Sequence, residues 1–324
     1  MAQRTAVART TRGTGAPAAS PALPLARSTK PRSLWSDAWR RLLRNRMAVV
    51  GMIIIGVFWL TALSADLTTP FAMNDQNHEA VYRPPAWAPG GDSRYLLGTD
   101  GVGRDELSRL IYGARISMIV GIVPVTLNLL IGGIVGMTAG YLGGRVDNLL
   151  MRMVDVTFAF PDLLFIIIMS VALRETWLGR QMGGLLVMFL ALAITGWVGT
   201  ARIVRGQVLS QKQKEYIEAA RCIGAGHRRI MWRHLMPNIL APLIVGIAFA
   251  VPGAIFTEAA LSFIGLGIRP PTASWGNMIQ DGLASIYSNQ VLIIAPAICV
   301  ALVMLSFTFL GDGLRDALDP RMKQ

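Results

Sequence analysis

Six apolar stretches constrain the fold of this 324-residue chain more than any other feature of its sequence. Each is long enough as a helix to cross a hydrocarbon core of about 30 Å. Inside a bilayer the backbone must satisfy its own hydrogen bonds, which leaves helices as the simplest structure for such stretches. The sequence therefore predicts an all-α integral membrane protein with six transmembrane helices. The predicted spans are 47–65, 116–142, 154–173, 185–203, 238–260 and 291–310.

The positive charge of the chain is concentrated beside these spans. The net charge is +12, with arginines at 40–46 and a basic excess over Glu215 and Glu218 within 201–235. Positive residues next to membrane helices favour the cytoplasmic side, and the acid-rich loop 66–106 then lies outside. We expect a multi-pass membrane protein with both termini in the cytoplasm. This placement explains the charge without nucleic-acid binding.

The first residues of the chain differ in composition from the rest. Residues 1–33 contain no acidic residue and are rich in Ala, Pro, Ser, Thr and Gly, which predicts a disordered basic tail. Trp35 and Trp39 are followed by a cluster of arginines, a pattern typical of a membrane-surface helix with aromatic rings at the interface and arginines near anionic headgroups. The arginines are Arg40, Arg41, Arg44 and Arg46.

A polar segment separates the fourth and fifth predicted spans. Its pattern predicts two short helices, 215–223 and 228–236, around a glycine break. Gly224 and Gly226 can both adopt the left-handed conformation that stops a helix, and Pro237 should close the second helix. A compact projection of this kind, held between two spans, suits docking into a groove of a partner protein.

The chain lacks the residues of a catalytic or metal site. Gly98 and Gly103 have the spacing of a phosphate-binding loop, but Arg104-Asp105 replaces the required Lys-Ser/Thr pair and no strand precedes it. The three histidines and two cysteines show no metal-ligand spacing. We therefore expect no catalytic residue, no metal and no cofactor bound by this chain, so that the work must come from a partner.

The polar segment resembles a known motif. Glu218-Ala219-Ala220, followed by Gly224 and then by Met236-Pro237, resembles the EAA coupling loop of ABC importer permeases. Residues 97–117 resemble the LGTD…GRD…SR…YGAR…S signature of the C-type subunits of dipeptide, oligopeptide and nickel permeases. FPDLL at 160–164 and GDGLRDALDP at 311–320 resemble the same subunits, so the resemblance extends from about residue 40 to the C-terminus.

The resemblance implies a type I ABC importer permease fold and a set of partners. These are a second, B-type permease subunit in a heterodimer, one or two cytoplasmic ABC ATPase subunits that hold ATP and Mg²⁺, and an extracytoplasmic substrate-binding protein. It also implies a prokaryotic cell membrane. Composition and resemblance together predict a basic tail (1–33), an N-terminal part with the surface helix, the first span and the outer loop (34–110), a permease domain (111–315) with a coupling segment (212–237), and a cytoplasmic C-terminal tail (316–324). The residues expected to couple to the ATPases are Glu215, Glu218, Ala219, Ala220, Gly224, Arg228 and Pro237.

Two polar residues inside the spans are candidates for a gate or cavity, Asn128 and Glu258. For Glu258 two interpretations remain open: a structural contact, to an arginine or to backbone amides, or a contact with a substrate amine near the outer end of its span. Short peptides are the favoured substrate, with nickel chelates or glutathione as alternatives in the same family. An ion-coupled secondary transporter would need more buried titratable groups than this one acid. A membrane-anchored DNA or lipid binder would leave five spans unexplained.

Overall fold

The computed structural model describes residues 34–318, which form helices and loops apart from one isolated bridge between Thr99 and Asp105. The predicted disorder of the tail 1–33 falls outside this range. The helices are α1 (Leu34–Arg44), α2 (Arg46–Leu63), α3 (Ala65–Thr68), α4 (Glu106–Leu142), α5 (Gly144–Phe158), α6 (Asp162–Ala172), α7 (Trp177–Arg180), α8 (Leu185–Lys212), α9 (Glu215–Cys222), α10 (His227–Arg229), α11 (Met236–Phe263), α12 (Trp275–Gly282) and α13 (Val291–Leu318). Single 3₁₀ turns lie at His78–Ala80, Gln181–Gly184 and Leu283–Ser285, and a π-helical turn at Ile230–Leu235.

Five helical stretches in the described range are long and apolar enough to cross a membrane, and they contain α2, α4, α8, α11 and α13. Helices α5 and α6 qualify as a sixth span if they are taken together, with a bend of 75° between them. The bend lies at Phe160-Pro161-Asp162, at the start of the FPDLL string, where Pro161 precedes the first residue of α6. Large apolar side chains such as Leu60 and Leu63 are about 70% exposed, as a lipid-facing surface requires.

Several helices continue past the predicted membrane spans, which cover only their apolar parts. Helix α4 begins at Glu106 instead of 116, α8 ends at Lys212 instead of 203, and α13 ends at Leu318 instead of 310. Hydropathy detects only the part of a helix that suits hydrocarbon, whereas hydrogen bonding carries the helix on into polar surroundings. The domain limits predicted at 110 and 315 accordingly fall inside α4 and α13. The residues between the second and third predicted spans, 143–153, lie mostly in helix α5.

Helices α4 and α8 pack closely through three glycines spaced four residues apart on α4. A Cβ atom at Gly132 would lie 2.6 Å from the carbonyl oxygen of Trp197, so no side chain fits there. Gly136 and Gly140 lie one and two turns further along α4. They face the backbone of Ala201 and Arg205 of α8. This small-residue spacing lets two helix backbones approach within a bilayer. The two helices therefore form one tightly packed pair.

A buried charge network fixes the loop before α4 to helix α12. The Arg109 guanidinium contacts Asp100 Oδ2 at 2.6 Å and Asp281 Oδ2 at 2.9 Å, and its side chain is 2% exposed. Arg104 Nε contacts the same Asp100 oxygen at 2.7 Å. Next to it, burial raises the pKa of the Asp105 carboxyl, whose Oδ2 accepts from the Ser108 backbone N–H at the start of α4. The arginines of the LGTD…GRD…SR string thus hold this end of the bundle together.

Helix α1 lies against the ends of α2 and α13. Its buried residues Ala38 and Leu42 pack with Ala48 of α2 and Ala317 of α13. Trp35 and Trp39 remain 51% and 56% exposed. An exposed aromatic stripe beside a packed stripe supports the expectation of a membrane-surface helix, and its contact with lipid stays a prediction.

Candidate functional site

The coupling segment begins with helix α9, which ends at a glycine in a left-handed conformation. Gly224 has φ +79°, and its N–H donates to the Arg221 carbonyl at 2.9 Å. The next N–H, of Ala225, donates to the Ala220 carbonyl at 3.0 Å. These two bonds form a Schellman motif, which satisfies the last carbonyls of the helix and requires a residue that tolerates positive φ. The left-handed prediction for Gly226 was wrong, because its φ is −67°.

The second half of the coupling segment runs without a break into the fifth span. Helix α10 passes through the π-helical turn into α11, so that one helix extends from residue 227 to 263. In the π-helical turn the Met236 N–H donates to the Met231 carbonyl, five residues back. The prediction that Pro237 closes this helix was wrong. Pro237 lies in the first turn of α11, where the hydrogen-bond register has just changed and proline is tolerated.

The residues expected to couple to a partner are on the surface, with one exception. Ala220 is buried and supplies a carbonyl to the Schellman motif. Neither Glu215 nor Glu218 forms a salt bridge with any residue of the described range. Their charges are therefore available to a partner. The exposed members of the set are Glu215, Glu218, Ala219, Gly224, Arg228 and Pro237.

The opposite side of the coupling segment is anchored in an apolar core that the sequence analysis did not identify. Ile217 of α9 is fully buried, and Ile230 of the π-helical turn is 2% exposed. Both pack with side chains from three long helices, so the segment is seated on the spans instead of projecting freely. The spacing of Ile217 and Ala220 along α9 could have indicated this buried face. The partners are Met137 and Tyr141 of α4, Val204 and Val208 of α8, and Ile239 and Leu243 of α11.

Directional polar contacts also hold the coupling segment and the helix ends beneath it in place. The Tyr141 hydroxyl lies 2.9 Å from His227 Nδ1, and Lys212 Nζ donates to the Tyr141 carbonyl at 2.6 Å. Arg205 of α8 holds Asp147 of α5 through two bonds of 2.6 and 2.7 Å. Within the segment itself, burial raises the pKa of the Tyr216 phenol. His227, which showed no ligand spacing in the sequence, thus proves to be a structural contact.

Asn128 lines a cavity of about 240 Å³ between α4, α8 and α11. Its amide lies so close to Gly196 that a Cβ atom there would overlap it. The amide oxygen is buried and has no hydrogen-bond partner among the described residues. Because this oxygen is itself buried, it contacts a solute or water only if the amide group turns toward the cavity. The geometry fits the cavity role expected for Asn128, and that role stays a prediction. The remaining lining residues are Val125, Leu129, Gly199, Thr200, Ile203, Pro242, Leu243, Gly246, Ile247 and Ala250.

Comparison with known families decides what kind of protein carries these features. Residues 132–324, which include the coupling segment and the α8 and α11 walls of the cavity, match the family model "Binding-protein-dependent transport system inner membrane component". The chain belongs to this family. Residues 33–85 of this permease also match the "N-terminal TM domain of oligopeptide transport permease C". It is thus a multi-pass membrane component of an ABC transporter, similar to the C-type permeases that its sequence resembles.

Individual relatives cover almost the whole permease. It is 40% identical to the oligopeptide transport system permease protein OppC of Bacillus subtilis over 92% of this chain and 93% of that protein. It is 42% identical to the dipeptide transport system permease protein DppC of the same organism over 90% of this chain and 87% of that one. A membrane chain of the inward-facing MetNI methionine ABC transporter superposes with a TM-score of 0.53 at 20% identity, covering 66% of this chain and 97% of that chain. That likeness shows a shared ABC importer permease fold.

The second intramembrane candidate, Glu258, lies elsewhere in the permease. Its side chain is fully buried, and its Oε1 accepts from the Ser262 hydroxyl at 2.7 Å. The Ser262 oxygen in turn accepts from the Ile268 N–H at 3.2 Å. Glu258 therefore fixes the loop after α11 through a serine, not through an arginine or directly through backbone amides as expected. It is absent from the lining of the Asn128 cavity.

We expect Glu258→Gln to leave the permease as stable as the wild type, because glutamine keeps an acceptor for Ser262 and no ion pair is lost. Glu258→Leu should lower the free energy of unfolding by ~1–3 kcal/mol, since the Ser262 hydroxyl then loses its acceptor in a buried site. Unfolding of the purified permease in detergent measures both. A Glu258→Gln variant of normal stability that transports acetylated peptides but fails with free amino termini would contradict this role and support the gate.

Proposed function

We propose that this permease carries short peptides into the cell as the C-type subunit of an ATP-driven ABC importer. The observation that carries the proposal is the coupling segment. It exposes Glu215, Glu218 and Arg228 on one side and is seated on three membrane helices on the other. The permeases it is similar to are named for oligopeptide and dipeptide transport, which supports peptides over nickel chelates and glutathione.

In the proposed mechanism the exposed side of the coupling segment docks into a cleft of a cytoplasmic ATPase subunit. The ATP and Mg²⁺ belong to one or two such subunits, since this chain supplies no phosphate-binding loop. Closure of the ATPases moves α9. Because the segment is continuous with α11 and packed on α4 and α8, the same three helices that surround the Asn128 cavity move with it. The cavity then opens to the opposite side of the membrane.

The other partners follow from the same proposal. A second, B-type permease subunit completes the membrane path as a heterodimer, and an extracytoplasmic substrate-binding protein delivers the peptide. The basic excess near the coupling segment supports a cytoplasmic location for it and for both termini. Transport by an ion gradient is the competing mechanism, and no observation in the described range favours it.

The test is uptake by proteoliposomes that contain both permease subunits, the ATPases and the binding protein. We expect ATP-dependent accumulation of a labelled di- or oligopeptide, lost when the ATPases are left out. Uptake driven by an ion gradient in the absence of ATP would overturn the mechanism. ATP-dependent uptake of glutathione or a nickel chelate, with none of peptides, would overturn the proposed substrate.

A further inference from the structure

Tyr141, in the last turn of α4, is contacted by two other elements at once. Its hydroxyl lies 2.9 Å from His227 Nδ1 at the start of α10. The two rings also meet edge to face, with centroids 5.6 Å apart at 70°. Lys212, at the end of α8, donates to the Tyr141 carbonyl at 2.6 Å and places its ammonium group 5.7 Å from the ring centroid. Tyr141 is itself only 4% exposed.

These contacts tie together parts of the chain that are not covalent neighbours. The coupling segment connects α8 directly to α11, whereas α4 is separated from α8 by three further helices, α5, α6 and α7. The Lys212 bond satisfies a carbonyl that the end of α4 leaves free, and it places a cation at the negative end of the helix. Together with the glycine packing of α4 on α8, it joins the ends of these two helices.

The His227 contact then links this pair to α11. The apolar core beneath the coupling segment holds α4 and α11 together, but apolar contacts are non-directional and permit sliding. A hydrogen bond between Tyr141 and His227 fixes one relative position, because it requires a defined distance and angle. Within the described range, this hydrogen bond is the polar contact between the start of α10 and α4.

We propose that Tyr141 and His227 are positioning residues that make α4 and α8 follow α11 when the coupling segment moves. The inference rests on the proposed function and adds to it the route by which motion reaches the wall of the Asn128 cavity. With the hydrogen bond in place, a displacement of α9 and α10 shifts all three helices together. Without it, α11 moves while α4 and α8 lag, so ATP is hydrolysed with less peptide transported.

The test measures peptide transported per ATP hydrolysed in proteoliposomes containing the complete transporter. Tyr141→Phe keeps the ring and removes only the hydroxyl, and we expect this ratio to fall about two- to tenfold, the range of one neutral hydrogen bond. His227→Leu should lower it to the same extent. Because both changes remove one bond, the double variant should be no worse than either single one. His227→Gln, which can still accept from the tyrosine, should restore most of the ratio.

Tyr216→Phe is the matched control, because within residues 34–318 its hydroxyl has one hydrogen bond, to Gln211 Oε1 of α8 at 3.1 Å, and none to α4 or α11. We expect it to behave as the wild type. A wild-type ratio in Tyr141→Phe, additive losses in the double variant, or an equal loss in Tyr216→Phe would each overturn the inference. If a substitution that distorts the Gly224 turn uncouples the transporter and Tyr141→Phe does not, the proposed function stands. In that case the proposed role of the Tyr141–His227 hydrogen bond is wrong. If neither change affects an ATP-dependent ratio, the coupling role of the segment fails as well.

Discussion

Replacing Gly224 with valine should uncouple ATP hydrolysis from transport. The residue has φ +79°, and a β-branched side chain strongly disfavours that conformation. The left-handed state costs non-glycine residues ~1–2 kcal/mol, which lowers the equilibrium constant for the correct turn about 5- to 30-fold. Since no atom lies within 4 Å of a Cβ at Gly224, the effect should come from the backbone and not from a clash. We expect the transport-to-hydrolysis ratio to fall by a similar factor, with normal amounts of protein in the membrane.

Gly226 provides a matched control for this prediction. It lies two residues away, is equally exposed, and also has open space around its Cβ position, but its φ of −67° suits any residue. Gly226→Val should therefore transport peptide almost as well as the wild type. Equal losses in both variants would show that bulk on this surface matters, and not the left-handed turn.

Replacing Arg109 with leucine should destabilise the permease more than any other single change considered. The side chain is 2% exposed and contacts both Asp100 and Asp281. Removing one partner of a buried ion pair costs ~3–5 kcal/mol, and we expect a loss near the lower limit because Arg104 Nε still contacts Asp100 at 2.7 Å. The loop before α4 and helix α12 should then separate. Denaturant or thermal unfolding of the purified protein measures the loss, and proteolysis within 97–105 should become faster.

Arg94→Leu serves as the comparison, because Arg94 pairs with Asp92 at 2.7 Å on the surface. Exposed pairs contribute little, so its unfolding should be close to that of the wild type. A similar unfolding curve for Arg109→Leu and Arg94→Leu would mean that the buried network carries no stability, against the account of this end of the bundle.

The membrane architecture could be predicted from the sequence because its signal is local. Each apolar run by itself indicates a helix that can lie in hydrocarbon. The Phe160-Pro161 bend lies where a proline interrupts such a run. Helix lengths were less predictable, since the polar ends of α4, α8 and α13 carry no hydropathy signal. Pro237 shows the same limit, because a change to π-helical hydrogen bonding just before it lets the helix continue.

The buried contacts of the site could not be predicted in this way. Tyr141 and His227 are 86 positions apart, and Arg109 and Asp281 are 172 apart. The sequence around each of these four residues does not indicate which residue it will contact. The pairs form only because the packing of the helices brings them together. The exposed motif of the coupling segment was identifiable because its residues share one short stretch. Glu258 was singled out as an acid in a span, and its partner Ser262 lies one turn further along the same helix. The bond from the Ile268 N–H to Ser262 depends on the fold of the following loop.

The central claim, that the exposed side of the coupling segment docks on a cytoplasmic ATPase, can be tested through a native side chain. Cys222 is an exposed residue of α9, next to the Schellman turn, and Cys299 can be changed to serine so that one thiol remains. A membrane-impermeant maleimide should label Cys222 in inside-out vesicles stripped of ATPase subunits. We predict little labelling when the ATPases are bound and none from outside intact cells. Labelling from outside, or equal labelling with and without the ATPases, would contradict the account.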